Sequence, residues 1–233
     1  TVQARLTRHL AGRGVLHVSV ARAAAGKHRV RVIELGCGPA WDALALAARP
    51  GWEVHALDLS ARALALAEDQ ARALGRSLIL HRRDVRCTGL ASGSFDVVFS
   101  QGLLEHFADP TPVWDEMRRL LAPGGAVVVD VPQTLNVYSL VKLRRFWRGD
   151  WPWGWERSYT RGALASEAAV AGLRLETASG YGTWGGPWDV AGRLQSFLEP
   201  RFPRFWARLE ARTGTAWMMN IVGLFRTADG RTP

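Results

Sequence analysis

Short runs of β-branched and aliphatic residues recur along the first half of the chain, and longer segments with apolar residues at helical spacing separate them. Residues 30–35, Val-Arg-Val-Ile-Glu-Leu, form one such run and break at Gly36. Residues 53–57, 77–81, 95–99 and 126–131 repeat the pattern. Between them, an Ala/Leu-rich helix is expected over 41–48, stopped by Pro50-Gly51. Ser60 is placed to cap a helix that ends at Gly75, and Thr111-Pro112 to open one that stops before Pro123. A helix over 161–172 and strands over 173–178 and 218–225 complete the series. Strands alternating with helices at this spacing predict an α/β fold, a doubly wound parallel sheet with helices on both faces.

The N-terminal residues 1–29 read as a broken, basic helical cap. Leu6, Leu10, Val15 and Val18 suggest one apolar face, interrupted by Gly12 and Gly14. Residues 30–233 read as the main domain.

Composition changes this picture little. The chain has 233 residues, 48% of them hydrophobic, enough for one α/β domain with insertions. Lys and Arg outnumber Asp and Glu by 30 to 21, a net charge of +9 that favours anionic partners. Two cysteines, Cys37 and Cys87, cannot form a disulfide framework, which fits a reducing, cytoplasmic compartment. No apolar run is long enough for a membrane span, and the first residues lack a signal-peptide core. No metal-ligand spacing is present, so no metal is expected.

In such sheets ligands bind at the carboxyl ends of the strands. Those ends carry Glu34, Asp58, Asp84, Ser100 and Asp130. Glycines 36 and 38 permit a tight turn and close ligand approach. Glu34 beside that turn disfavours a phosphate and suits an amino group or a positive centre. Asp58 follows the glycine turn by about twenty residues, where a carboxylate commonly holds both hydroxyls of a ribose. Asp84 could accept from an exocyclic amine of a base, with Leu59 and Val85 on its faces. The turn lacks the third glycine of the dinucleotide fingerprint. The ligand expected is therefore an adenosine derivative without phosphates, rather than NAD or FAD.

Five segments together resemble the class I S-adenosylmethionine-dependent methyltransferases: residues 32–39, Val-Ile-Glu-Leu-Gly-Cys-Gly-Pro; 56–60, Ala-Leu-Asp-Leu-Ser; 83–85, Arg-Asp-Val; 94–99 with Leu104-Glu105-His106; and 121–125, Leu-Ala-Pro-Gly-Gly. They occur in the family's order and spacing over residues 30–131. Within the family the chain is most similar to the small-molecule group that includes ubiquinone and menaquinone methyltransferases. The resemblance implies a Rossmann-like sheet of seven strands, the last antiparallel, with S-adenosyl-L-methionine as cofactor and S-adenosyl-L-homocysteine as product. It assigns Glu34, Gly36, Cys37 and Gly38 to the methionine end, Asp58 to the ribose, Leu59, Asp84 and Val85 to the adenine, and Ser100 and Gln101 to the sulfonium side. Ala40 is a departure, since the family often has glycine there.

His106 falls where the transferred methyl should emerge, and an imidazole could take a proton from a hydroxyl nucleophile. It is the candidate catalytic residue. Two aromatic, basic insertions, over about 133–160 and 181–217, are expected to form a lid. Tyr138, Trp153, Tyr159 and Trp184 are its candidate acceptor-binding residues. The expected function is methyl transfer to an oxygen or activated carbon of a small, aromatic or apolar acceptor. The alternatives are a methyltransferase acting on RNA or protein through the basic surface and a non-catalytic S-adenosylmethionine-binding protein. Nucleic acid is not the expected partner; peripheral contact with a membrane is compatible with Trp interleaved with Arg.

Overall fold

The computed structural model describes residues 1–11, 14–152, 154–182, 194, 197–198, 200–205, 208 and 218–228, with Val137 and Tyr138 described in their backbone only. Seven strands form one sheet: β1 (Val30–Leu35), β2 (Trp52–Asp58), β3 (Ile79–Arg82), β4 (Phe95–Gln101), β5 (Leu121–Pro132), β6 (Leu173–Tyr181) and β7 (Asn220–Thr227). Their spatial order is β3-β2-β1-β4-β5-β7-β6. Strands β1 to β5 run parallel, and β7 inserts antiparallel between β5 and β6, as the resemblance implied. The order reverses between β1 and β4, which opens a crevice at their carboxyl ends.

Side-chain alternation explains why these runs become strands. Val32, Val97, Phe99 and Val128 pack on one face, while Ile33, Val98, Val127 and Val129 pack on the other. Both faces are buried, so β1, β4 and β5 read as nearly continuous apolar runs. On the second face Trp114 meets Phe225 edge-on at 5.2 Å.

Helices α1 (Val2–Leu10), α2 (Gly14–Ala23), α3 (Trp41–Leu46), α4 (Ala61–Leu74), α5 (Thr111–Leu120), α6 (Val137–Arg148) and α7 (Arg161–Val170) complete the described elements. Ser60 caps α4 by accepting from the Ala63 N–H at 3.2 Å, and Gly75 ends it with φ +60°. Thr111 is the first residue of α5 rather than its cap; Asp109 Oδ1 accepts its N–H at 3.0 Å. Strand β5 starts earlier than expected. A side chain at Gly125 would press on the carbonyls of Ala122 and Asp96, so glycine lets the chain cross β4 closely.

The N-terminal segment is two helices, but its inward face differs from the expected one. Leu6, Leu16 and Val20 are buried, whereas Val18 is 67% exposed. Residues 12–13 lie outside the described residues. Leu16 and Val20, four residues apart, share one face of α2, whereas Val18, two residues from each, points about 160° away from both. Helix α1 packs on α3 and α4, and α2 covers the β4, β5 and β7 side of the sheet.

Candidate active site

The turn after β1 has left-handed backbone at Gly36 (φ +67°), Gly38 (φ +51°) and Ala40 (φ +56°). A side chain at Gly36 would strike Leu103, whereas one at Gly38 would meet no atom within 4 Å. Gly36 is thus required by packing, and Gly38 faces open space. Ala40 holds a conformation in which an L-residue is strained by about 1–2 kcal/mol. The Cys37 N–H donates to the Leu57 carbonyl at 3.0 Å, tying the turn to β2. Its thiol is buried and its pKa is pushed up, first by desolvation and then by Glu34 and Asp58, so it is not a nucleophile at neutral pH.

Two carboxylates shape this turn. Asp58 Oδ2 accepts from the Gly38 N–H at 2.8 Å, and Oδ1 accepts from the Ser60 N–H at 2.8 Å. Each oxygen retains a second acceptor site. Glu34, buried at the end of β1, accepts from the Ala43 N–H at 2.8 Å and so joins β1 to the first turn of α3.

Asp42, on the same helical turn, was missed by sequence reasoning. Its Oδ1 lies 2.8 Å from His17 Nε2 and its Oδ2 2.9 Å from His9 Nε2. The buried carboxylate thereby pins both N-terminal helices beside the glycine turn. Only long-range contacts make this pairing, so no local pattern announces it.

Leu59 projects exposed at the end of β2, and Val85 is buried near the end of β3. Asp84 is held by Arg86, whose Nη2 donates to Oδ2 at 2.7 Å and whose Nε and backbone N–H donate to Oδ1. The hydrogen bonds from Arg86 draw its pKa down to about 2. Asp84 therefore meets any ligand as a carboxylate already engaged by an arginine.

At the end of β4, Ser100 is fully buried and its Oγ has no hydrogen-bond partner. Gln101 follows, partly buried. The chain then enters a 3-10 turn, Leu104–His106. His106 Nδ1 lies 3.2 Å from the Trp155 carbonyl oxygen. A carbonyl only accepts, so Nδ1 carries the proton and Nε2 keeps a basic lone pair.

Glu105 was also missed. It is buried, and its Oε2 has no partner. Desolvation raises its pKa to about 8, with Glu156 and Asp130 adding like charge and Lys142 opposing them. Burial thus favours the protonated form of this carboxyl, in the residue before His106. The sequence signal was an acid inside an apolar stretch, Leu103-Leu104-Glu105.

The first aromatic insertion leaves the sheet after Pro132 and returns at Tyr159, where the Tyr159 N–H donates to the Pro132 carbonyl at 2.8 Å and the Thr134 N–H to the Tyr159 carbonyl at 2.9 Å. The Arg157 N–H donates to the Glu105 carbonyl, hooking the return segment to the 3-10 turn. Tyr159 was expected to face an acceptor. Instead it is 1% exposed, within the core, and its hydroxyl accepts from the Arg157 guanidinium at 2.6 Å and lies 3.3 Å from the Leu104 carbonyl. Its ring anchors the base of the insertion, and its surface is already covered. Trp153 and Trp184 lie outside the described residues, as does the Tyr138 side chain and most of the second insertion.

The sheet order, the glycine turn and the polar strand ends define a class of protein that binds a small ligand across the β1/β4 switch point. Residues 33–129 match the family described as Methyltransferase domain. The chain is 36% identical over 154 residues to a malonyl-(acyl-carrier protein) O-methyltransferase of Enterobacter lignolyticus, covering 64% of this chain and 55% of that protein. It is 30% identical over 161 residues to a ubiquinone biosynthesis O-methyltransferase of Cupriavidus pinatubonensis, covering 65% and 63%. The chain therefore matches less than two thirds of the length of each. The magnesium protoporphyrin IX methyltransferase of Synechocystis, solved with bound S-adenosylhomocysteine, shares the fold with a TM-score of 0.61 at 15% identity, covering 91% of this chain and 81% of that one.

Over residues 33–129 the chain is therefore similar to a methyltransferase domain, the match expected from its resemblance to the S-adenosylmethionine-dependent class. The cofactor of that family fits the residues present: an open approach at Gly38, spare acceptor sites on Asp58, an exposed Leu59 and a buried Ser100 hydroxyl with no partner.

Proposed function

We propose that the chain transfers a methyl group from S-adenosylmethionine to an oxygen, or an activated carbon, of a small aromatic or apolar acceptor. The open space at Gly38, beside a carboxylate tied to the same turn, is the observation that carries the reading. In this reading Gly36, Cys37 and Gly38 offer backbone to the methionine end, with Glu34 behind them. Asp58 takes the ribose hydroxyls, while Leu59, Val85 and Asp84 take the adenine. Ser100 and Gln101 lie toward the sulfonium.

When bound, the cofactor supplies an already activated methyl group, so the protein's task is to align an acceptor and manage one proton. His106 Nε2 accepts the proton of an acceptor hydroxyl, its ring held by the Trp155 carbonyl. The relatives' names, both of O-methyltransferases, support oxygen over carbon.

Residues 1–29 serve as a cap on the cofactor side, and the insertions at about 133–160 and 181–217 as a lid on the acceptor side, with Tyr138, Trp153 and Trp184 as its acceptor contacts. Two free cysteines support a reducing, cytoplasmic setting. No described helix is long and apolar enough to cross a membrane, and an apolar acceptor suits an enzyme that touches a membrane at its periphery.

The test has two stages. Calorimetry with S-adenosylhomocysteine against NAD checks the donor; binding of NAD alone overturns the reading. Transfer of labelled methyl from S-adenosylmethionine to a panel of phenols, catechols, hydroxyquinones and carboxylates then checks the acceptor.

A further inference from the structure

Helix α6 is inside out. Among its described side chains the one buried is a lysine: Lys142 Nζ donates to Glu156 Oε1 at 2.6 Å and to Ser158 Oγ at 3.2 Å. Its ammonium also lies 5.7 Å from the Trp151 ring. Phe146, on Lys142's side, stacks on Trp151 at 5.8 Å, but the other large apolar side chains described point the other way. Leu140 is 68% exposed, Leu143 53% and Trp147 86%. At about 100° per residue, Leu140 and Trp147 lie about 160° and 140° around the axis from Lys142, with Leu143 on their flank. Arg144 and Arg148 border the stripe on its other side, and Arg145 follows them.

The arrangement reverses the usual folding logic. An amphipathic helix normally turns its apolar stripe to the core. Here the inward anchor is a buried ion pair, which contributes little net stability after desolvation. The apolar stripe must find its environment elsewhere.

We propose that α6 lies in the plane of an anionic lipid surface, with Leu140, Leu143 and Trp147 in the headgroup–acyl boundary and Arg144 and Arg148 on lipid phosphates. Charge identifies the occupant. The helix contains no acidic residue; Arg144 has no acidic partner among the described residues, and Arg148 only a 4.0 Å contact with Asp150. A tryptophan is the most exposed of the apolar side chains, the ring best suited to the boundary between headgroup and hydrocarbon. The inference deepens the peripheral membrane contact of the proposed function by naming the element that makes it and the lipid it takes. It can fail without touching cofactor binding, and the reverse.

The experiment is co-sedimentation of the full chain, without cofactor, with vesicles of phosphatidylcholine alone or mixed with phosphatidylglycerol, at low and high salt. Binding is expected to the mixed vesicles, weakened by salt and by omission of phosphatidylglycerol. The double variant Arg144→Gln/Arg148→Gln should bind about thirtyfold more weakly, from about 1 kcal/mol per arginine near an anionic surface. Leu143→Glu/Trp147→Glu should abolish binding while circular dichroism and the S-adenosylhomocysteine affinity stay as in the parent. The two variants change opposite sides of the stripe, so misfolding of one leaves the other as a test. Absence of vesicle binding by the parent overturns the inference, as does binding unchanged in both variants. Capture of single-stranded RNA or an acidic protein through the same residues, without vesicle binding, overturns it in favour of that partner.

Discussion

The Nδ1 of His106 and the carbonyl oxygen of Trp155 lie 3.2 Å apart, a contact between the turn after β4 and the returning arm of the first aromatic insertion. It fixes which ring nitrogen keeps its lone pair. Replacing His106 with Ala should lower kcat by about a hundredfold or more for a hydroxyl acceptor, the usual worth of a positioned base. The affinity for S-adenosylhomocysteine, measured by calorimetry, should stay unchanged. Equal turnover in the variant would remove His106 from the chemistry.

Gly38 separates ligand approach from packing. Gly38→Ala meets no neighbour, so it should cost only about 1–2 kcal/mol for the left-handed backbone. Yet its methyl would stand in the space assigned to the cofactor. Thermal melts should show a modest drop in Tm, while the Kd for S-adenosylhomocysteine should rise by tenfold or more.

Asp58 serves the turn and, in the proposed function, the ribose. Asp58→Ala leaves the N–H groups of Gly38 and Ser60 without their acceptor. A loss of about 1–3 kcal/mol is expected for such a change, together with weakened cofactor binding. Asp58→Asn keeps an acceptor oxygen and should recover more of the stability than of the affinity, because one of two carboxylate oxygens is gone.

Glu105 gives the fold a pH dependence. Its carboxyl is raised from 4.5 to about 8 in the folded chain, chiefly by burial. The folded state therefore holds this proton more tightly than the unfolded chain does. That contribution to stability is complete below about pH 4.3, the ordinary unfolded value, and is lost as pH rises toward 8. Glu105→Gln cannot titrate, so its denaturant midpoint should fall less than the parent's between pH 5 and 8. Parallel curves for the two proteins would show that Glu105 is ionised throughout.

Much of the sheet was legible because its strands are buried on both faces. Val30 to Leu35 and Ala126 to Val131 announce themselves by apolar content alone; Gly36 marks the end of the first, and Ser60 and Gly75 mark the ends of α4 by backbone chemistry. The placement of β7 between β5 and β6 rested on family resemblance, since hydrophobic pattern carries no pairing information. Helix α6 escaped detection because its apolar residues face outward, where periodicity gives no clue to burial. Tyr159 was misplaced for a related reason: an aromatic among arginines could be lid or core, and only tertiary packing decides. The two histidines on Asp42 and the buried Glu105 depend on contacts that local spacing does not encode.

The first aromatic insertion leaves the sheet at Pro132 and comes back to it at Tyr159, with its two ends hydrogen-bonded to each other. Such a segment is topologically a cassette. Because its ends already meet, exchanging what lies between them changes the loop-closure entropy only slowly with length. The same donor-binding scaffold can therefore accept a graft of different size and composition at this seam, and selectivity for the acceptor can drift while the sheet and the cofactor crevice stay as they are.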